Sequence, residues 1–185
     1  MRRAAAAALL AAVVLVAGCG GDSGGAADRD AARLRAADAA LGAHPRDARA
    51  MEHVMRVAYE AAGTRQDTGS GRYTAAARPY LNRAAAVWPQ YLEATRGRPG
   101  VPFASLMVQV FGQGLDRPAD AADAARRVAL AKPTVASYLQ LVAWSARARD
   151  VKEARAAGRK AVQLSVAGDR ADVRSRVRAL IAQAG

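Results

Sequence analysis

The chain has 185 residues, with 28 Lys and Arg against 16 Asp and Glu, a formal net charge of +12. Its one cysteine excludes an internal disulfide, so the fold has to hold by packing alone. In a cytosolic protein this charge would point first to nucleic acid; the export expected from the amino-terminal segment argues against that partner.

Arg2 and Arg3 form a positive start, Ala4 to Ala17 an apolar run, and the small residues Ala17 and Gly18 precede Cys19. The run is well short of the ~20 residues a spanning helix needs. Val16-Ala17-Gly18-Cys19 resembles the lipobox of bacterial lipoprotein signal peptides. That resemblance implies export, a diacylglycerol on the Cys19 sulfur, cleavage just before Cys19, and usually a further acyl group on the new amino terminus. Two or three acyl chains, at ~0.8 kcal/mol per buried methylene, anchor a protein stably where one would exchange. Residues 1–18 are thus expected to be a lipoprotein signal peptide, 19–27 the lipidated Cys with a flexible Gly-rich tether, and 28–185 a single helical-repeat domain. Gly20, and not Asp, follows Cys19, which by the same resemblance permits the outer membrane; in a single-membrane bacterium the anchor would face outward from the plasma membrane. Loss of Arg2 and Arg3 with the signal takes the 28 basic residues to 26 against 16 acids, a formal +10.

From Asp28 onward apolar residues recur three or four apart, Ala dominates, and alternating β-branched runs are absent, which predicts an all-α fold. Breakers place helices at roughly 28–43, 47–62, 73–88, 102–113, 119–132, 134–148, 151–165 and 169–183. Short connections favour antiparallel neighbours. The Gly-rich stretch 63–71 and the Arg/Gly/Pro stretch 94–102 are the expected mobile segments.

Ala77-x3-Leu81-x2-Ala84-x4-Pro89 is echoed by Ala121-x3-Ala125-x2-Val128-x4-Pro133, and Ala154-x3-Gly158-x2-Ala161 follows 33 residues after the second copy. Small residues there let the two helices of a hairpin approach closely. The spacing resembles the second helix of a tetratricopeptide repeat, over most of residues 45–166. The signature Gly of the first helix is replaced by Val142 and Gln109, and Pro45, Pro89 and Pro133 stand 44 apart, a period of the armadillo or HEAT kind. The resemblance implies antiparallel helical hairpins stacked as a short tetratricopeptide-like α-solenoid with a C-terminal capping helix; another α-solenoid or an irregular bundle is the alternative.

If that phase holds, the concave face, where the family usually binds peptide segments, includes Phe103, Leu106, Met107 and Val110 from one helix and Leu139, Gln140 and Ala143 from the next. Met and Phe suit an adaptable apolar groove; the alternative assigns these residues to the core. The last helix carries Val173, Val177, Leu180 and Ile181 on one face with arginines around it, as a solvated cap would, and Lys152, Arg155, Arg159 and Lys160 read as the outside of a helix.

No His-Glu-x-x-His, Gly-x-Ser-x-Gly or phosphate-binding Gly-x4-Gly-Lys occurs, and Gly112-Gln113-Gly114 is followed by Arg117 where a third Gly would stand. His44, before Pro45, and His53, beside Glu52, read as a turn residue and a surface or core residue. No catalytic residue, metal ligand or cofactor is therefore assigned. The expected function is that of a lipid-anchored adaptor binding another cell-envelope protein. The alternatives are direct binding of an anionic envelope polymer or lipid by the Arg-rich exterior and, third, hydrolysis of wall or lipid material.

Overall fold

Eight α-helices run through residues 23–183, the part of the chain that the structure, a computed structural model, describes. They are α1 (Ser23–Ala43), α2 (Ala48–Gly63), α3 (Arg78–Ala94), α4 (Val101–Gln109), α5 (Pro118–Ala131), α6 (Val135–Arg147), α7 (Val151–Leu164) and α8 (Arg170–Ala182). The signal peptide, the lipobox and Cys19 lie outside the described residues. No described helix is long and apolar enough to cross a membrane. Residues 23–27, expected in the tether, already belong to α1.

Local chemistry sets most of the helix ends. Asp47 caps α2 by accepting the Arg49 amide at 2.9 Å, and Asp150 caps α7 by accepting the Glu153 amide at 2.9 Å. Thr134 and Ser137 form a reciprocal capping box at the start of α6. Pro79, Pro102 and Pro118 sit in the first turns of α3, α4 and α5, where a missing N–H costs nothing.

Consecutive helices pack side by side, and α8 also reaches back to α6. One continuous core runs from Ala37 on α1 to Val173 on α8. Much of it is alanine: Ala58, Ala84, Ala121, Ala125, Ala154 and Ala161 are wholly buried, with Trp88, Tyr91, Met107 and Phe111 filling the wider gaps. Apart from the prolines, all nine positions of the three repeated motifs are buried.

Three expectations about the backbone are corrected. The third helix does not stop before Pro89; α3 runs through it to Ala94. A proline inside a helix costs about 3 kcal/mol, but Trp88 and Tyr91 on either side of it are buried. The Tyr91 hydroxyl donates to Glu52 Oε1 at 2.7 Å and accepts the Gly100 amide at 3.2 Å. Those contacts hold the last turn in place. The same helix begins at 78 and not at 73, because Gln66 and Tyr73 form an antiparallel bridge and Thr74 donates its amide to the Arg65 carbonyl at 3.0 Å. Finally, α4 passes into a π-helical turn, Val110–Gly114, where the Leu115 amide donates to the Val110 carbonyl at 2.9 Å. That wider turn sets Gly112 against the Trp144 ring and Gly114 against Leu81, so closely that a Cβ on either would overlap its neighbour.

Both stretches expected to be mobile are held by hydrogen bonds. Asp67 accepts from the amide and hydroxyl of Ser70, each at 2.7 Å, within the first. In the second, the Gly97 amide donates to the Leu92 carbonyl at 2.7 Å and Arg127 donates to the Gly97 carbonyl at 3.0 Å. Ion pairs add cross-links between helices. Asp30 of α1 accepts from Arg65 at 2.8 Å with both side chains largely covered, and the Arg65 guanidinium lies 4.3 Å from the Tyr80 ring centre. Arg126 of α5 grips Glu153 of α7 with two bonds, Nε to Oε1 at 2.9 Å and Nη2 to Oε2 at 3.0 Å.

Candidate functional site

The expected groove divides in two. Met107 and Val110 are wholly buried and cannot touch a partner; they belong to the core. The reason is visible in α4 itself, where Ala104 and Val108 are buried as well. Its polar residues, Ser105 and Gln109, are themselves half-buried, so they mark no outer face from which to read a phase. Phe103, Leu106, Leu139, Gln140 and Ala143 are half-buried. Phe103 stands edge-on to Tyr91, with ring centres 5.9 Å apart, and packs on the core together with Leu106 and Leu139. His44 and His53 are both exposed, and no three His, Cys, Asp or Glu side chains among the described residues converge as metal ligands would.

A better-formed concavity lies at the other end of the helix array. Gly158 on α7 lets α8 come close: a Cβ there would stand 2.5 Å from Val177 Cγ1. Beside this contact, α7 and α8 together line an open cleft of about 770 Å³. Gly158, Val162, Val177 and Ile181 make an apolar floor, with Arg155 and Arg159 on the α7 wall and Arg174 and Arg178 on the α8 wall. Only Val173 of α8 is fully buried, while Val177, Leu180 and Ile181 stay half-exposed, so the apolar stripe of this helix is incompletely covered.

No acid is among the residues that line this cleft. Some arginines elsewhere are matched with acids, Arg65 with Asp30, Arg83 with Asp38, Arg126 with Glu153 and Asp123, and Arg127 with Asp123, while others, such as Arg46, Arg78 and Arg170, form no ion pair with a described residue. A second cleft of about 560 Å³, between residues 97–99 and α5, includes those paired Arg126 and Arg127 side chains. None of Arg155, Arg159, Arg174 and Arg178 forms an ion pair with a described residue, although all four are exposed. On each wall the two arginines stand four residues apart, one helical turn, where like charges repel by roughly 0.2–0.5 kcal/mol per pair. The arrangement suits a ligand with both acidic groups and an apolar strip.

Sequence reasoning placed these arginines on solvated outer faces and missed the cleft. The available signal was the matched pair Arg155-x3-Arg159 and Arg174-x3-Arg178, each bracketing a residue of the α7–α8 contact, Gly158 in one and Val177 in the other. No family model, no curated protein and no solved structure matches this chain.

Proposed function

We propose that this chain is a non-catalytic adaptor, tethered to a bacterial membrane through a lipid on Cys19, that holds another cell-envelope protein with its helical surface. The observation that carries the reading is the α7–α8 cleft, where a half-exposed apolar floor lies among four arginines that form no ion pair with a described residue. The charged start, short apolar run and Val16-Ala17-Gly18-Cys19 support export and anchoring, at the outer membrane or the outer face of the plasma membrane. Burial of Ala77, Leu81 and Ala84, of Ala121, Ala125 and Val128, and of Ala154, Gly158 and Ala161 supports the finer reading of α2–α3, α4–α5 and α6–α7 as tetratricopeptide-like hairpins capped by α8.

A second reading, direct binding of an anionic envelope polymer or lipid, is favoured by the same four arginines. Photocrosslinking in the native cells separates the two. A crosslinking side chain at Val162 or Ile181 of the full-length protein should yield a discrete protein adduct, and one at exposed Gln90 on α3 should not. Adducts with lipid or polymer alone would favour the second reading. In the same cells Cys19→Ala should leave the precursor uncleaved; normal processing of that variant would remove the anchor.

A further inference from the structure

The two walls of the α7–α8 cleft repeat one pattern. Arg155 and Arg159 stand one turn apart on α7 and Arg174 and Arg178 one turn apart on α8, with Gly158, Val162, Val177 and Ile181 between them. Contact of Gly158 with Val177, together with the short 165–169 connection, makes the walls antiparallel. Along α8 the lining runs from Ala171 to Ala182, about three turns or ~16 Å at 1.5 Å per residue. A trough of that length between two antiparallel helices has the shape of a seat for a third helix.

The charges say what kind of helix. No described acid neutralises the four arginines, and each wall holds its pair at a spacing where like charges repel. An occupant that brings carboxylates one turn apart along both flanks relieves that repulsion, and its apolar strip covers Val162, Val177 and Ile181. A planar headgroup layer would reach the arginine rim and leave the floor uncovered. A second copy of this chain is a poor occupant. Its α8 would oppose arginine to arginine, and the acids of α5 are already taken, Asp120 by Arg117 and Asp123 by Arg126 and Arg127.

We propose that the α7–α8 cleft seats an acidic amphipathic helix of a partner protein. The helix is about three turns long, with apolar residues at i, i+3 or i+4 and i+7 on the floor and Asp or Glu on both flanks. This inference rests on the adaptor reading and names the chemistry of its partner.

The test uses the full lipidated chain in neutral detergent and a ~14-residue fluorescent Leu/Glu peptide with helical amphipathic spacing. Its controls are a sequence isomer of the same composition and vesicles of phosphatidylglycerol in phosphatidylcholine. The amphipathic peptide should bind at least about tenfold more tightly than its isomer. The pair Arg155→Glu and Arg174→Glu should lose that binding by a similar factor and should instead prefer a Lys-flanked peptide of the same spacing. Equal binding of the isomer would reduce the site to unspecific charge and overturn the proposal. So would binding of vesicles with no preference between peptides, or peptide binding indifferent to both substitutions. A discrete protein crosslinked at Val162 or Ile181 in cells, combined with no peptide preference, would remove the acidic helix and keep the adaptor. Absence of both would remove both.

Discussion

The hydroxyl of Tyr91, deep in the core on α3, donates to Glu52 Oε1 of α2 across 2.7 Å and accepts the amide of Gly100 just before α4. One side chain thus ties three consecutive helices at the point where Pro89 weakens the ladder of its own.

Burial, and next the bond to Glu52, push the Tyr91 phenol up from 10.0 to about 12. Because the folded value is the higher one, this group's contribution to stability is complete below pH 10 and is lost as the pH rises toward 12. Tyr91→Phe should destabilise the fold by about 1 kcal/mol at neutral pH, as loss of a hydrogen bond does. The gap between wild type and variant should narrow over that alkaline window. Urea titrations at pH 7, 10 and 11 check both expectations; a gap independent of pH would contradict the assignment.

Acid acts on the other end of the molecule. The bond from Arg65, above all, holds the Asp30 carboxyl below its ordinary value of 3.8. The folded value is the lower one here, so the stabilisation is complete above about 3.8 and disappears as the pH falls through the folded value. Since α1 packs chiefly on α2, its amides should be the first to lose protection from hydrogen exchange as the pH drops. In Asp30→Asn the acid dependence of that protection should be much reduced.

Glycine contacts give a contrasting pair of variants. In Gly112→Ala the new methyl meets three ring carbons of Trp144, and overpacking of this kind costs roughly 1–3 kcal/mol. The Trp fluorescence should shift as the ring is displaced. Gly158→Ala presses on Val177 alone, so the double variant Gly158→Ala, Val177→Ala should recover part of the loss. A thermodynamic cycle showing simple additivity would mean that the α7–α8 contact is not made through these two residues.

Core and cleft can be told apart by charge. Met107→Glu puts an unpaired carboxylate in a wholly buried position and should abolish cooperative unfolding or lower stability by several kcal/mol. Val162→Gln, at the half-exposed cleft floor, should change stability by about 1 kcal/mol or less. Thermal melts followed by circular dichroism measure both.

Helical class and most helix positions were legible because they are written locally, in the three-to-four-residue recurrence of Ala, Leu and Val and in caps such as Asp47, Thr134 and Asp150. Pro89 misled because its cost is local, whereas the compensation comes from the bond of Tyr91 to Glu52, two residues 39 positions apart along the chain. The π-helical turn was hidden for a similar reason: Gly112 and Gly114 carry no sign of the Trp144 and Leu81 side chains that press on them. Met107 and Val110 looked like a groove because the only polar residues of α4, Ser105 and Gln109, are half-buried and do not mark a solvent face. Arg155, Arg159, Arg174 and Arg178 looked like solvent-facing charge because a sequence shows each helix face singly, and a cleft is a relation between two of them.

The alanine-built helix contacts have an effect on how this protein can change. Ala loses almost no rotamer freedom on burial, so each such contact is cheap in entropy yet weak in attraction. Truncating one such residue to Gly removes little contact but costs about 1 kcal/mol in helix propensity. Enlarging one, at Ala58, Ala84, Ala125 or Ala154, where the side chain is fully enclosed, wedges two backbones apart and propagates along both helices. Each such position therefore resists change in both directions, since the only smaller residue, Gly, loosens the helix and any larger one parts it from its neighbour. The sequence record of this chain should then be strict at every place where two helices touch and at the four arginines of the α7–α8 cleft, and tolerant at the remaining exposed arginines.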